Sequence, residues 1–117
     1  MPDVNRQILQ GTLDLLVLKA VSRTAAHGYE IARWIEQATD QVLKLEDGSL
    51  YPALYRLEER ELIEAEWRLT ADRRRAKYYS LTAAGRKQLR DETARWTRYA
   101  GAVFAALDVA RPVPGNA

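Results

Sequence analysis

The sequence predicts a mainly α chain with one small two-stranded β wing, in the order of a winged helix-turn-helix extended by a long C-terminal helix. Three observations carry this. Apolar residues recur at helical spacing in three segments of the first half. Between Ile63 and Leu81 the period falls to two, as in half-buried strands. From Leu89 onward the apolar positions alternate between intervals of four and three, which keeps one seam of a long helix facing a partner. With 117 residues, 47% of them hydrophobic, the chain has the size of one domain with one core.

The first helix is expected from about Gln10 to Ser22, where Leu9, Leu13, Leu16, Val17 and Ala20 share a face. "TAAHG" breaks that pattern, and Gly28 stands where a helix can begin after a turn. The second helix then runs from about Tyr29 to Thr39, with Ile31, Ala32 and Ile35 inward.

The third helix, in "DGSLYPALYRLEER", holds an apparent conflict. Leu50, Leu54 and Leu57 mark one buried face, yet Pro52 lies within their pattern, and a proline in a helix interior costs about 3 kcal/mol. Placing Ser49 at the N-cap resolves it, because Pro52 then falls in the first turn, where amides have no intrahelical partner anyway. The helix is expected from Leu50 to about Arg60.

Leu62 and Ile63 lead into the hairpin. Ile63, Ala65, Trp67 and Leu69 alternate with Glu64, Glu66 and Arg68, and "AKYYSL" supplies a second strand with Tyr79 and Leu81 on one face. "TADRRR" joins them. Thr82 is the expected N-cap of the last helix, whose seam is Leu89, Thr93, Trp96, Ala100, Val103 and Leu107. That seam fits either a second copy of the chain or the first helix of the same chain, and the homodimer is the preferred reading. The expected organisation is a winged helix-turn-helix over residues 1–81, a dimerisation helix over 82–108 and a disordered Pro- and Gly-rich tail over 109–117.

Composition narrows the chemistry. There is no cysteine, and the one histidine, His27, cannot by itself form a nucleophile pair or a multi-histidine metal site. No enzyme activity, cofactor or metal is expected. The longest apolar run, "LLVLKAV", is short and broken by Lys19, so no membrane span is expected. The N-terminus lacks the layout of a signal peptide, which makes cytoplasmic location the default expectation. Net charge is only +2, but Arg68, Arg73, Arg74, Arg75 and Lys77 cluster against Asp72 alone. Such a cluster is either a solvated charge run or an anion-binding face, and its place on a hairpin tip favours the second.

In a winged helix-turn-helix the second and third helices form the reading unit, and the third enters the DNA major groove. The start of the third helix presents free amides, with Ser49 and Tyr51 adding hydroxyl donors for phosphate. Tyr51 is equally readable as a partly buried core tyrosine. Pro52, Tyr55, Arg56 and Glu59 fall on the outer side, and Arg56 can offer two donors to a guanine edge. Arg73, Arg74, Arg75 and Lys77 on the wing would track the backbone or enter a minor groove, making affinity salt-dependent. The competing reading is a winged helix used as a protein-interaction module, which would more often expose apolar anchors.

Together, "QGTLDLLVLKAV", "HGYEI", "GSLYPALYRLEE", "LIEAEW", "RRRAKYYSLTAAGRKQL" and Trp96 resemble the PadR family of transcriptional regulators, in its short form with one C-terminal helix. The resemblance spans about Leu9 to Trp96. It implies a winged-helix repressor that binds a palindromic operator as a homodimer through its last helix. It also implies DNA contacts from Ser49, Tyr51, Pro52, Arg56 and Arg73 to Lys77, joined by His27, Gly28 and Tyr29. Some relatives stack a flat aromatic effector on a tryptophan of the last helix, a position that Trp96 matches. Where many relatives have a glycine, this chain has Glu61 in "RLEERELI", at a helix end where a left-handed conformation favours glycine.

Overall fold

The computed structural model describes the backbone of residues 4–110 and the side chains of residues 12–46 and 48–110. Its elements are α1 (Val4–Arg23), α2 (Gly28–Ala38), α3 (Asp47–Glu59), β1 (Ile63–Leu69), β2 (Arg75–Leu81) and α4 (Ala83–Leu107). The expected order therefore holds. The side chain of Leu9 and the tail from residue 111 onward lie outside the described residues. α1 begins well before Gln10, since periodicity marks only the turns that face the core, whereas helix propagation needs no apolar residue.

One core joins the elements. Val17 and Leu18 of α1, Ile31 and Ile35 of α2, Leu50, Leu54 and Leu57 of α3, and Ile63 of β1 are all fully buried. Tyr79 and Leu81 of β2 close it from one side, on the shared face that alternation predicts. The hairpin is antiparallel, with its register running from Ile63 opposite Leu81 to Leu69 opposite Arg75. Ala26, in the loop between α1 and α2, adds a third short rung: it donates to the Tyr79 carbonyl at 3.0 Å and accepts from the Tyr79 amide at 2.8 Å.

The inward reading of β1 holds only at its base. Ile63 is buried and Ala65 half-buried, but Trp67 and Leu69 are 59% and 66% exposed. Their alternation continues past the end of the core, so the outer half of the hairpin has nothing to cover it.

α3 differs from expectation at its start. Its N-cap is Glu46, not Ser49, and the amides of Ser49 and Leu50 both donate back to the Glu46 carbonyl, at 2.9 and 3.1 Å. Glu46 makes no side-chain cap bond, but its negative charge at the positive end of the helix competes with a hydroxyl cap. Pro52 thus lies inside the helix, where the carbonyl of Gly48 loses its usual donor four residues on. Both residues are exposed, so water can replace that donor. Free first-turn amides belong to the Asp47 and Gly48 end rather than to Tyr51 and Pro52.

The other end of α3 is a left-handed cap. Glu61 has φ 59°, its amide donates to the Glu58 carbonyl at 2.9 Å, and the Leu62 amide donates to the Leu57 carbonyl at 3.0 Å. This pair of bonds is the Schellman arrangement, with a glutamate where glycine is usual. Thr82 then caps α4 as expected, its hydroxyl accepting from the Gly85 amide at 3.0 Å. The same hydroxyl donates to the Glu61 carbonyl at 2.7 Å. Gly85 is required by closeness: a Cβ there would lie 2.0 Å from the Leu62 carbonyl oxygen.

α4 packs against α1 and β2, with Gly85 buried and Leu89 packed against the core near its start. The radius of gyration is 15.3 Å, against roughly 13 Å for a globule of about this length.

Two opposite stability changes follow. Glu61→Gly removes a left-handed penalty of about 1–2 kcal/mol but adds unfolded-state freedom of about 0.5–1 kcal/mol. It should raise the melting temperature by a few degrees. Gly85→Ala should lower stability by at least about 2 kcal/mol, because a backbone carbonyl has to move. Thermal unfolding of both variants checks the pair, and a destabilised Glu61→Gly variant would contradict the cap.

Candidate nucleic-acid interface

α3 buries Leu50, Ala53, Leu54 and Leu57 and exposes Tyr51, Pro52, Tyr55, Arg56 and Glu59. At 100° per residue, Pro52, Tyr55 and Glu59 are the outermost, with Tyr51 on one flank and Arg56 on the other. Ser49, half-buried, shares the Arg56 flank. Tyr51 is 50% exposed, so half of it stays open beside α2. Arg56 is not free-standing: its Nη2 donates to Asp14 Oδ1 of α1 at 2.8 Å.

The start of α2 lies beside that of α3. His27 is the N-cap: its Nδ1 accepts from the Glu30 amide at 3.4 Å while Glu30 Oε1 accepts from the His27 amide at 3.2 Å. This capping box assigns the His27 ring to α2, and its Nδ1 is not available for phosphate. Next to it, a Cβ on Gly28 would come 2.8 Å from the Tyr51 hydroxyl. Glycine there lets the Tyr51 ring settle on α2. Tyr29 is 64% exposed, and its hydroxyl accepts from Arg33 at 3.1 Å.

At the tip of the wing, the Arg73 amide donates to the Thr70 carbonyl at 2.9 Å and the Thr70 amide to the Arg74 carbonyl at 2.8 Å. Arg73 itself is left-handed, with φ 61°, as a three-residue hairpin loop requires. Arg73 and Arg74 are exposed and make no ion pair among the described residues. The other wing cations are engaged. Arg75 lies over the Trp67 ring at 5.2 Å and Arg68 over Tyr78 at 5.1 Å. Lys77 Nζ donates to Glu58 Oε1 of α3 at 3.1 Å, and this hydrogen bond pushes the Lys77 pKa above its ordinary value. Wing and α3 are thereby tied.

The three parts meet in a cleft of about 420 Å³ lined by His27, Tyr29, Tyr51, Trp67, Arg75 and Lys77 among others. Ser49, Pro52, Tyr55, Arg56, Arg73 and Arg74 lie outside it. The result is one surface that combines a helix face, a helix start and a basic hairpin.

A family profile, the transcriptional regulator PadR-like family, matches residues 17–91. The chain belongs to the PadR-like family of transcriptional regulators. An uncharacterised protein of Lysinibacillus sphaericus is 31% identical over 93 residues, 80% of this chain and 85% of that one. A PadR-like transcriptional regulator from Bacillus cereus superposes with TM-score 0.76 at 27% identity, covering 89% of this chain and 99% of that one. A PadR family regulator from Eggerthella lenta gives TM-score 0.72 at 30% identity, covering 90% and 89%. This PadR-like protein is thus a DNA-binding transcriptional regulator of winged-helix fold. Among its described residues, no helix is long and apolar enough to cross a membrane.

In this PadR-like chain, the structure also places two residues that sequence reasoning did not assign to the interface. Trp67, expected inward, is exposed beneath Arg75, and no periodicity could reveal where the core ends along β1. Asp14 meets Arg56 from 42 residues away, a pairing with no local signal.

The seam residues of α4 divide. Leu89 packs against the core, whereas Thr93, Trp96, Val103 and Leu107 are exposed and Ala100 is half-buried.

The wing tether has a pH signature. A raised folded-state pKa at Lys77 contributes stability that is fully present below the unfolded lysine value and lost as pH rises through the folded one. Glu58→Gln should return the Lys77 titration toward the ordinary lysine range and remove that alkaline loss. NMR titration of the lysine side chains measures it, and an unchanged Lys77 midpoint would contradict the tether.

Proposed function

We propose that this PadR-like regulator is a repressor that binds a palindromic operator as a homodimer, with α3 in the major groove and the wing along the backbone. The observation that carries the reading is the pairing of two surfaces. One joins the outer face of α3 to the unpaired Arg73 and Arg74 of the wing tip. The other is the α4 stripe. Leu89 of that stripe packs against the core, and Trp96, Val103 and Leu107 continue it outward with exposures of 44%, 38% and 64%. A second copy would cover the overhang by the alternating four and three spacing of paired helices. Two-fold symmetry in the protein then calls for two-fold symmetry in the operator, with half-sites about one helical turn or a multiple of it apart.

Roles follow from position. Tyr55 and Pro52 lead into the groove and Arg56 reads a base edge from the α1 side. Tyr51 and Ser49 contact phosphate, as does Tyr29 at the start of α2. His27 acts through its cap, fixing where α2 begins. Arg73 and Arg74 contact the backbone or a minor groove, while Arg75 and Lys77 face the cleft. Repression is supported by the family resemblance, as is release by a small planar aromatic effector. Trp96, exposed on α4, offers the ring face such a ligand would stack on.

Duplex binding measured against salt tests the reading. Affinity should fall steeply, by about 0.9 log units per log unit of salt for each neutralised phosphate, and a flat response would refute DNA binding. Val103→Glu should yield monomers and weaken operator binding together. Sedimentation and a mobility shift read both, and an unchanged mass would exclude this seam.

A further inference from the structure

Cations on the DNA-facing surface stand in two states. Arg73 and Arg74 project without a carboxylate partner among the described residues, whereas Arg56 and Lys77 are each held by a carboxylate of the same fold. The Arg56 pair is the more informative. Its partner comes from α1, and both side chains remain partly open, at 47% and 31% exposure. Such a pair is not needed to hold α1 on α3, because Leu13, Val17, Leu54 and Leu57 already bury that contact.

Chemistry separates what Asp14 removes from what it leaves. A carboxylate at 2.8 Å leaves the pair with almost no net charge, so the pull of Arg56 on surrounding phosphates is weakened. The bond engages only Nη2, and a guanidinium has five N–H donors in a fixed fork. Donors remain for the two acceptors of a guanine edge, which require direction rather than net charge.

We propose that Asp14 is a specificity-determining residue. It masks the charge of Arg56 toward phosphates while leaving its directional donors for a base edge, so that the arginine adds little to binding at unrelated sites. The inference rests on the DNA-binding reading above, with Arg56 in the groove.

Asp14→Asn, Arg56→Gln and the double variant are compared as full chains. Each is titrated over a series of salt concentrations with a duplex selected from random sequence and with an unrelated duplex. Asp14→Asn should bind the unrelated duplex roughly five-fold more tightly, with a salt slope steeper by about 0.9 per protomer. Its preference for the selected duplex should fall. Adding Asp14→Asn to Arg56→Gln should change nothing. An unaltered slope on the unrelated duplex overturns the proposal, and so does the same shift in the Arg56→Gln background, which would mean that Asp14 acts through something else. If the parent chain shows no salt-dependent duplex binding, the DNA reading falls and takes the proposal with it, a failure visible before any variant is compared.

Discussion

The carbonyls of Glu61 and Leu62 are the junction on which the rest of the protein depends. Leu62 accepts from the Thr82 amide at 3.1 Å, and Glu61 accepts from the Thr82 hydroxyl at 2.7 Å. The left-handed Glu61 turns the chain out of α3 into β1, Thr82 ends β2 and begins α4, and Gly85 lets α4 pass against the Leu62 carbonyl. Four elements therefore meet at one backbone bond and one threonine hydroxyl bond. These bonds tie the end of α3, which carries the proposed reading face, to the start of α4.

Electrostatics on the proposed DNA-facing side are more restrained than the local run of basic residues suggests. Arg75 is laid over Trp67, Arg68 over Tyr78, and Lys77 is bound by Glu58. These contacts hold long side chains in place and lower their cost of ordering on binding. What is left projecting freely is the wing tip. Attraction at a distance and ordered contact at close range thus fall to different residues.

Much of the fold was legible because it follows from periodicity. The helical faces of α1 and α2, the strand β1 from Ile63 to Leu69, and Thr82 as a cap all emerge from spacing and local hydrogen-bond chemistry. The start of α3 did not, since Ser49 is a good cap by type, yet the charge of Glu46 at a helix N-terminus competes with it. Ala26 pairing with Tyr79 and Asp14 with Arg56 join residues far apart in the chain, and no local pattern encodes them. Glu61 is the instructive middle case. Its position at the helix end was readable, but that a glutamate takes the left-handed conformation there was set by the two amide bonds of the cap.

The Ala26 rung also governs how the molecule can yield. By pairing in both directions with Tyr79, it fastens the root of the hairpin to the loop that launches α2, while Lys77 and Glu58 fasten the hairpin to α3. Wing and helix are thereby linked at two points. To the extent that these links hold the spacing of wing and helix, a duplex bound between them would be selected for the groove width and bending it can reach cheaply as well as for its bases.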